Sequence, residues 1–153
     1  MPLLDSITHK IDLPEGVSAS IDGDDVTFSK DGSSISRTFR SSRISINSVE
    51  GQIHVFCDLP RRAHKALAGT WAAHLRNMIR GIDSGFEYRL KAVYSHFPMT
   101  LKVDGSVMTI TNLFGEKVPR SANLPWSPGE VQVRVENKVD VIVSGADREK
   151  VGQ

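Results

Sequence analysis

The chain has little of the chemistry that makes enzymes, secreted scaffolds or membrane proteins easy to recognise. Among its 153 residues there is a single cysteine, Cys57. That excludes an internal disulfide and favours a reducing, cytosolic setting. No stretch approaches the roughly 18 consecutive apolar residues a spanning helix needs, so no transmembrane segment is expected. Met1-Pro-Leu-Leu-Asp5 lacks a charged region ahead of an apolar core, so no signal peptide is expected either. There is no H-E-x-x-H, no Cys-x-x-Cys, no G-x-x-x-x-G-K-[ST] and no G-x-G-x-x-G. The histidines (His9, His54, His64, His74 and His96) show no metal-ligand spacing. His64 and His74 fall on one expected helix about 280° apart, so they do not converge. Asp22, Asp24 and Asp25 suit a turn better than a calcium loop. Cys57 falls on the inward side of an expected strand, with no base marked beside it. The expectation is therefore a protein that is not an enzyme, with no catalytic residue, no metal site and no cofactor. An enzyme reading would have to show turnover that depends on His96 or Cys57.

What is present is globular: 39% hydrophobic and 24% charged residues leave no case for disorder. The net charge of +1 hides an uneven distribution. Residues 1–28 hold one basic and six acidic residues, residues 29–80 nine basic and three acidic, and residues 81–153 nine of each. The basic middle suits part of a polyanion-binding surface, and it equally suits an ordinary solvated face. Charge by itself does not separate the two.

Strand patterns dominate. Val17–Ile21 and Val26–Phe28 flank Asp22-Gly-Asp-Asp25 as a hairpin, and Ile35 with Phe39, then Ile44 with Ile46, alternate with polar neighbours. Ile53, Val55 and Cys57 share one strand face. A helix follows, with Asp58 as the expected N-cap and Pro60 in the first turn. Ala63, Leu67, Trp71, Leu75, Ile79 and Ile82 form its apolar stripe, and Gly81 and Gly85 mark its end. Arg61, Lys65, Arg76 and Arg80 lie off that stripe.

The second half repeats this layout. A shift of 82 residues lays Val17–Phe28 on Met99–Ile110, so that Asp22-Gly23 meets Asp104-Gly105 and Thr27 meets Thr109. Ile53, Val55 and Cys57 correspond to Val139, Val141 and Val143, and a second helix begins near Asp147, its expected cap. The expectation is an α+β chain of two tandem duplicated domains, residues 1–85 and 86–153, each an antiparallel sheet with one packed helix. The second helix is expected to be truncated, because it starts only one turn before Gln153.

Two loops stand out in the second repeat. Tyr94-Ser-His-Phe-Pro-Met99 is a bend that displays an aromatic and a histidine beside proline. Asn112-Leu-Phe-Gly-Glu-Lys117-Val-Pro-Arg120 places Gly115 near Lys117 and Arg120, a pattern compatible with phosphate contact or with a plain hairpin tip. In the first repeat, Ser29–Arg43 mixes hydroxyls with Arg37, Arg40 and Arg43, which fits phosphate binding and a polar edge strand equally.

Several of these stretches together resemble a known family. Gly69-Thr-Trp-Ala-Ala-His-Leu-Arg-Asn-Met-Ile-Arg-Gly81, Gly85–Met99, Asn112–Lys117 and Ser144–Gln153 are similar, in this order, to the archaeal and eukaryotic branch of the ribosomal protein L-six (L6) family of the large subunit. The resemblance extends from Leu13-Pro-Glu-Gly-Val17 to the last residue. It implies a duplicated two-domain fold and a structural role in the cytoplasmic ribosome. It also implies contact with large-subunit rRNA near the sarcin–ricin loop and the translation-factor site, neighbouring ribosomal proteins as partners, and no membrane. It carries His96, Phe97, Pro98, Gly115, Glu116 and Lys117 over as RNA-contact candidates, with Arg120, Arg148 and Lys150 as neighbours. Family members continue past Gln153 through a full helix and a basic tail, so that helix and tail are expected to be missing from residues 86–153. The alternative is a free-standing protein-interaction module that pairs exposed edge strands such as Ile35–Phe39 with a partner.

Overall fold

The computed structural model describes residues 5–94, 96–126 and 129–153. Met1-Pro-Leu-Leu4, on which the signal-peptide expectation partly rests, lie outside the described residues. The chain divides into two compact units, Met1–Ser84 and Gly85–Gln153.

Among the described residues, the first unit holds six strands and a long helix. β1 (Ser6–Asp12), β6 (Gln52–Asp58) and β5 (Ile44–Val49) form one antiparallel sheet in the order β1-β6-β5. β2 (Ser18–Asp22), β3 (Asp25–Lys30) and β4 (Ser33–Thr38) form a second in the order β2-β3-β4. The Asp22–Asp25 hairpin forms as its sequence predicts, with Gly23 at φ +60°, a conformation glycine adopts without penalty. Where the pattern suggested one sheet per repeat, there are two three-stranded sheets. Each is too small to bury a face alone, and α1 (Arg62–Asp83) packs on both, touching β1, β6, β3 and β4.

Inward residues of the strands meet the helix in one core. Val26, Phe28, Ile53, Val55 and Cys57 are fully enclosed, together with Ala68, Ala72 and Leu75 of α1. Phe39 and Trp71 meet edge to face, with centroids 5.3 Å apart and planes at 62°. Lys30 pairs with Asp83, which ties β3 to the end of α1.

Several helical details differ from the sequence expectation: Pro60 precedes the N-cap instead of sitting in the first turn, and Gly81 lies inside the helix, which runs on to Asp83. Asp58 is the last residue of β6, paired with Ser6, and the N-cap is Arg61. The cross-strand ladder takes Asp58, Leu59 turns the chain at φ +44°, and the first turn starts three residues later. His64 Nδ1 accepts a hydrogen bond from the Arg61 backbone N–H at 3.3 Å, so one of the donors left open at the helix start is satisfied. Ala63 and Leu67, assigned to the apolar stripe, are exposed; the buried face is Ala68, Trp71, Ala72, Leu75, Met78 and Ile79.

The second unit repeats the connectivity. β7 (Phe86–Lys91), β12 (Asp140–Gly145) and β11 (Val131–Glu136) pair in the order β7-β12-β11, the counterpart of β1-β6-β5. β8 (Thr100–Asp104), β9 (Val107–Thr111) and β10 (Arg120–Asn123) pair as β8-β9-β10, matching β2-β3-β4. β2 and β8 keep the 82-residue offset read from the sequence. α2 (Arg148–Gly152) follows β12 as α1 follows β6, and packs on β12 and β7. Asp147 caps it as expected, its carboxylate accepting from the N–H groups of Glu149 and Lys150 at 3.0 and 3.5 Å.

Gly145 is where α2 and the sheet come closest. A Cβ placed there would lie 2.5 Å from the Glu130 carbonyl oxygen and 2.8 Å from Val151 Cγ2. Because the nearest obstacle is backbone, Gly145→Ala is expected to cost about 1–3 kcal/mol, the usual range for overpacking. Urea unfolding followed by Trp126 fluorescence would measure it. A cost below about 0.5 kcal/mol would mean that β11 and α2 give way more freely than this packing implies.

Candidate RNA-contact site

The site is built in the second unit from two segments that follow β7 and β9. After β7 the chain leaves the sheet at Ala92 and runs through Val93, Tyr94, His96, Phe97 and Pro98 to β8; Ser95, within it, lies outside the described residues. After β9 it makes a tight 3-10 turn over Leu113–Gly115. Asn112, Phe114 and Gly115 all have positive φ, at 64°, 53° and 77°. For asparagine and glycine this conformation is ordinary, but for phenylalanine it is strained. The turn is held by Gly115 N–H donating to the Asn112 carbonyl (3.2 Å) and Glu116 N–H donating to the Leu113 carbonyl (3.0 Å).

Two contacts lock the segments together. The Asn112 side-chain amide donates to the Pro98 carbonyl at 3.0 Å. The Phe97 ring lies against Gly115 so closely that an added Cβ would sit 3.0 Å from it. The closeness that Gly115 permits is therefore used within the protein, by Phe97. Together the segments enclose an apolar cleft of about 460 Å³ lined by Val93, Tyr94, His96, Phe97, Met99, Leu113 and Phe114. Its aromatic walls face solvent: Phe114 is 80% exposed and Phe97 52%. The Phe114 ring, in a turn with three positive φ values, stands in solvent and is not part of the buried core.

The charges on the chain that follows the turn divide into paired and unpaired. Arg120 grips Glu116 with two parallel hydrogen bonds, Nε to Oε2 at 2.9 Å and Nη2 to Oε1 at 2.8 Å. The Arg120 hydrogen bond and charge hold the Glu116 carboxyl below the usual range, and Glu116 raises the Arg120 guanidinium in return. Because the folded pKa is lowered, the fork is intact above the usual carboxylate range and opens as pH falls through the folded value. Lys117 is exposed and has no ion-pair partner among the described residues.

Of the residues expected to form the site, His96 and Phe97 line this cleft, Pro98 and Gly115 lie in the two segments that are joined there, and Glu116, Lys117 and Arg120 follow along the chain after the turn. Arg148 and Lys150 are held elsewhere in the same unit, on α2. Arg148 Nε donates to Tyr88 Oη at 3.4 Å. Lys150 pairs with Glu130 at 3.2 Å, and its ammonium lies 4.9 Å from the centre of the Trp126 ring, a cation–π contact. No described hydrogen bond or ion pair links either to the 112–120 loop. Sequence reasoning missed Val93, Leu113 and Phe114 as walls of the cleft. Phe114 had a readable signal: a large aromatic between two residues tolerant of positive φ belongs to a turn and cannot reach the core.

Among the described residues, no three His, Cys, Asp or Glu side chains gather as a metal site. No described helix is long and apolar enough to cross a membrane.

A family model described as ribosomal protein L6 matches residues 13–85. The chain is similar to the large ribosomal subunit protein uL6 of Methanosphaera stadtmanae, at 41% identity over 153 residues, which is 100% of this chain and 82% of that protein. The uL6 protein of Methanosarcina mazei is 40% identical over 151 residues, 99% of this chain and 84% of the relative. That of Methanobrevibacter smithii is 38% identical over 148 residues, 97% of this chain and 81% of the relative.

Proposed function

Because the chain belongs to the ribosomal protein L6 family, we propose that it is a structural, non-catalytic constituent of the large ribosomal subunit that binds large-subunit rRNA through its second unit. The observation that carries the rRNA contact is the aromatic cleft of Tyr94, Phe97 and Phe114, with the exposed Lys117 two residues beyond Gly115 in the same loop. RNA that is read away from a regular helix presents unstacked bases, which stack on aromatic faces, and phosphates, which cations neutralise. The cleft offers the aromatic faces, and the loop that continues from it offers the cation. Phe97, Phe114 and His96 would meet bases, Lys117 a phosphate, and the Glu116–Arg120 fork would hold the loop that presents them. Arg148 and Lys150 would contribute at most from α2, since their head groups already have partners.

In this reading the contact lies near the sarcin–ricin loop, beside the site where translation factors dock, with other ribosomal proteins as neighbours in the cytoplasmic ribosome. Sedimentation tests the assignment: the protein should travel with the large subunit and leave it at high salt, because phosphate contacts are salt-sensitive. Recovery solely as a free monomer would refute it. Lys117→Ala should weaken binding to an rRNA fragment and lower the log–log salt slope by about 0.7–0.9, the share of one phosphate. An unchanged slope would remove Lys117 from the interface.

A further inference from the structure

Helix α1 turns its apolar face to the two sheets of the first unit, and its outer face has an uncommon charge pattern. Arg62, Lys65, Gly69, Ala73, Arg76 and Arg80 follow one another at steps of three or four residues, so they share one side of the helix. Arg62, Ala73, Arg76 and Arg80 are exposed, and Lys65 and Gly69 half-buried. From Leu59 to Ile82 there is no aspartate or glutamate. A merely solvated helix intersperses the two signs, because opposite charges four residues apart stabilise it and like charges destabilise it. Arg76 and Arg80 are such a like pair. Among the described residues no ion pair neutralises Arg62, Lys65 or Arg76.

Gly69 adds an independent observation. Glycine inside a helix is less stable than alanine there. A Cβ at Gly69 would meet nothing within 4 Å, so the packing of this chain does not require glycine. With Ala73 it leaves a bare gap between the basic pairs Arg62/Lys65 and Arg76/Arg80, whose midpoints are roughly 22 Å apart at the helical rise.

We propose that this face is a second polyanion site, which lies across a groove of duplex RNA. Arg62 and Lys65 at one end and Arg76 at the other reach phosphates on the ridges either side, and the Gly69–Ala73 gap lets the helix backbone come down toward the sugar edge. The wide, shallow minor groove of A-form RNA is recognised in this way, by shape, 2′-hydroxyls and phosphates. An acidic protein surface would also satisfy the charge, but protein interfaces draw their affinity from buried aromatic or arginine anchors at the centre. The centre of this face is glycine and alanine, which favours RNA.

The test uses the full chain and a labelled, bulge-free RNA duplex in anisotropy titrations across a salt series. The duplex offers no unstacked base to the second-unit cleft. Arg62→Gln/Lys65→Gln/Arg76→Gln should bind it at least about tenfold more weakly, with the salt slope reduced by roughly two to three phosphates' worth. Gly69→Gln should raise Tm yet lower duplex affinity several-fold, opposite signs that a purely structural role would not give. Phe97→Ala/Phe114→Ala should leave duplex binding intact and lose binding to single-stranded loops, so failure of either site is read separately. Unchanged duplex affinity and slope in the triple variant would overturn the site. Loss of poly-glutamate binding without loss of duplex binding would reassign the face to an acidic protein, against the proposal. A silent Gly69→Gln beside an effective triple variant would overturn the groove-spanning geometry.

Discussion

Phe28→Ala is expected to remove about 3–5 kcal/mol from the stability of the first unit, the usual range for truncating a buried phenylalanine. Phe28 has no exposed surface and lies on β3 in the cluster beneath α1. Truncation leaves a void between the β2-β3-β4 sheet and the helix, which Trp71, Leu75 and the enclosed strand residues cannot fill without leaving their rotamers. Small domains have only about 5–15 kcal/mol in total, so the first unit would approach its unfolding midpoint in mild denaturant. The second unit has its own strands and its own buried residues, Val131, Val141, Ile142 and Val151, and should respond little. Urea titration read through Trp71 in a Trp126→Phe background separates the two. A loss below about 1 kcal/mol would contradict the packing described here.

Phe97→Ala/Phe114→Ala is expected to have the largest effect on binding. Stacking of a base on an aromatic side chain is worth about 1–3 kcal/mol, so the double variant should lose about 2–6 kcal/mol of affinity for an rRNA fragment with an unpaired loop. That corresponds to at least about 30-fold weaker binding. Phe114 is mostly exposed, so Phe114→Ala alone should leave Tm within a degree or two and still weaken binding. Phe97 also covers Gly115, and part of its effect would come through the loop it supports. Unlike Lys117→Ala, the aromatic variants should leave the salt slope unchanged, because no counterion is released by stacking. Equal losses at every salt concentration would therefore identify base contact. Retention of full affinity would remove the cleft from the interface and leave the rRNA contact to be sought elsewhere.

Some of this was legible in the chain itself. The duplicated order of hairpin, strands and helix follows from alternating and helical apolar periods, which are local signals. The Asp147 cap and the inward set of Ile53, Val55 and Cys57 are local in the same sense. The resemblance to the L6 family also rested on residues alone, and the uL6 relatives bear it out. Where the reading failed, a distant partner decided the outcome. Asp58 has every qualification for an N-cap, but Ser6, far away in sequence, draws it into the β1-β6 ladder. Leu67 has helical spacing to Trp71, but it lies to one side of the buried face and remains 38% exposed.

The sequence by itself thus determined the hairpins, the central strands, the long helix, the repeat and the family, because each depends on spacing along the chain, whereas β1, β7, β10 and β11 show as strands only in the structure. Only the tertiary structure decided that each repeat splits into two small sheets, since strand pairing depends on which edges meet in space. Only it decided which of the candidate segments touch. Asn112 reaching Pro98 and Phe97 covering Gly115 join segments more than a dozen residues apart, and a linear pattern holds no record of such contacts. The same packing sets Arg148 and Lys150 apart on α2, because their charges are met by Tyr88, Glu130 and Trp126.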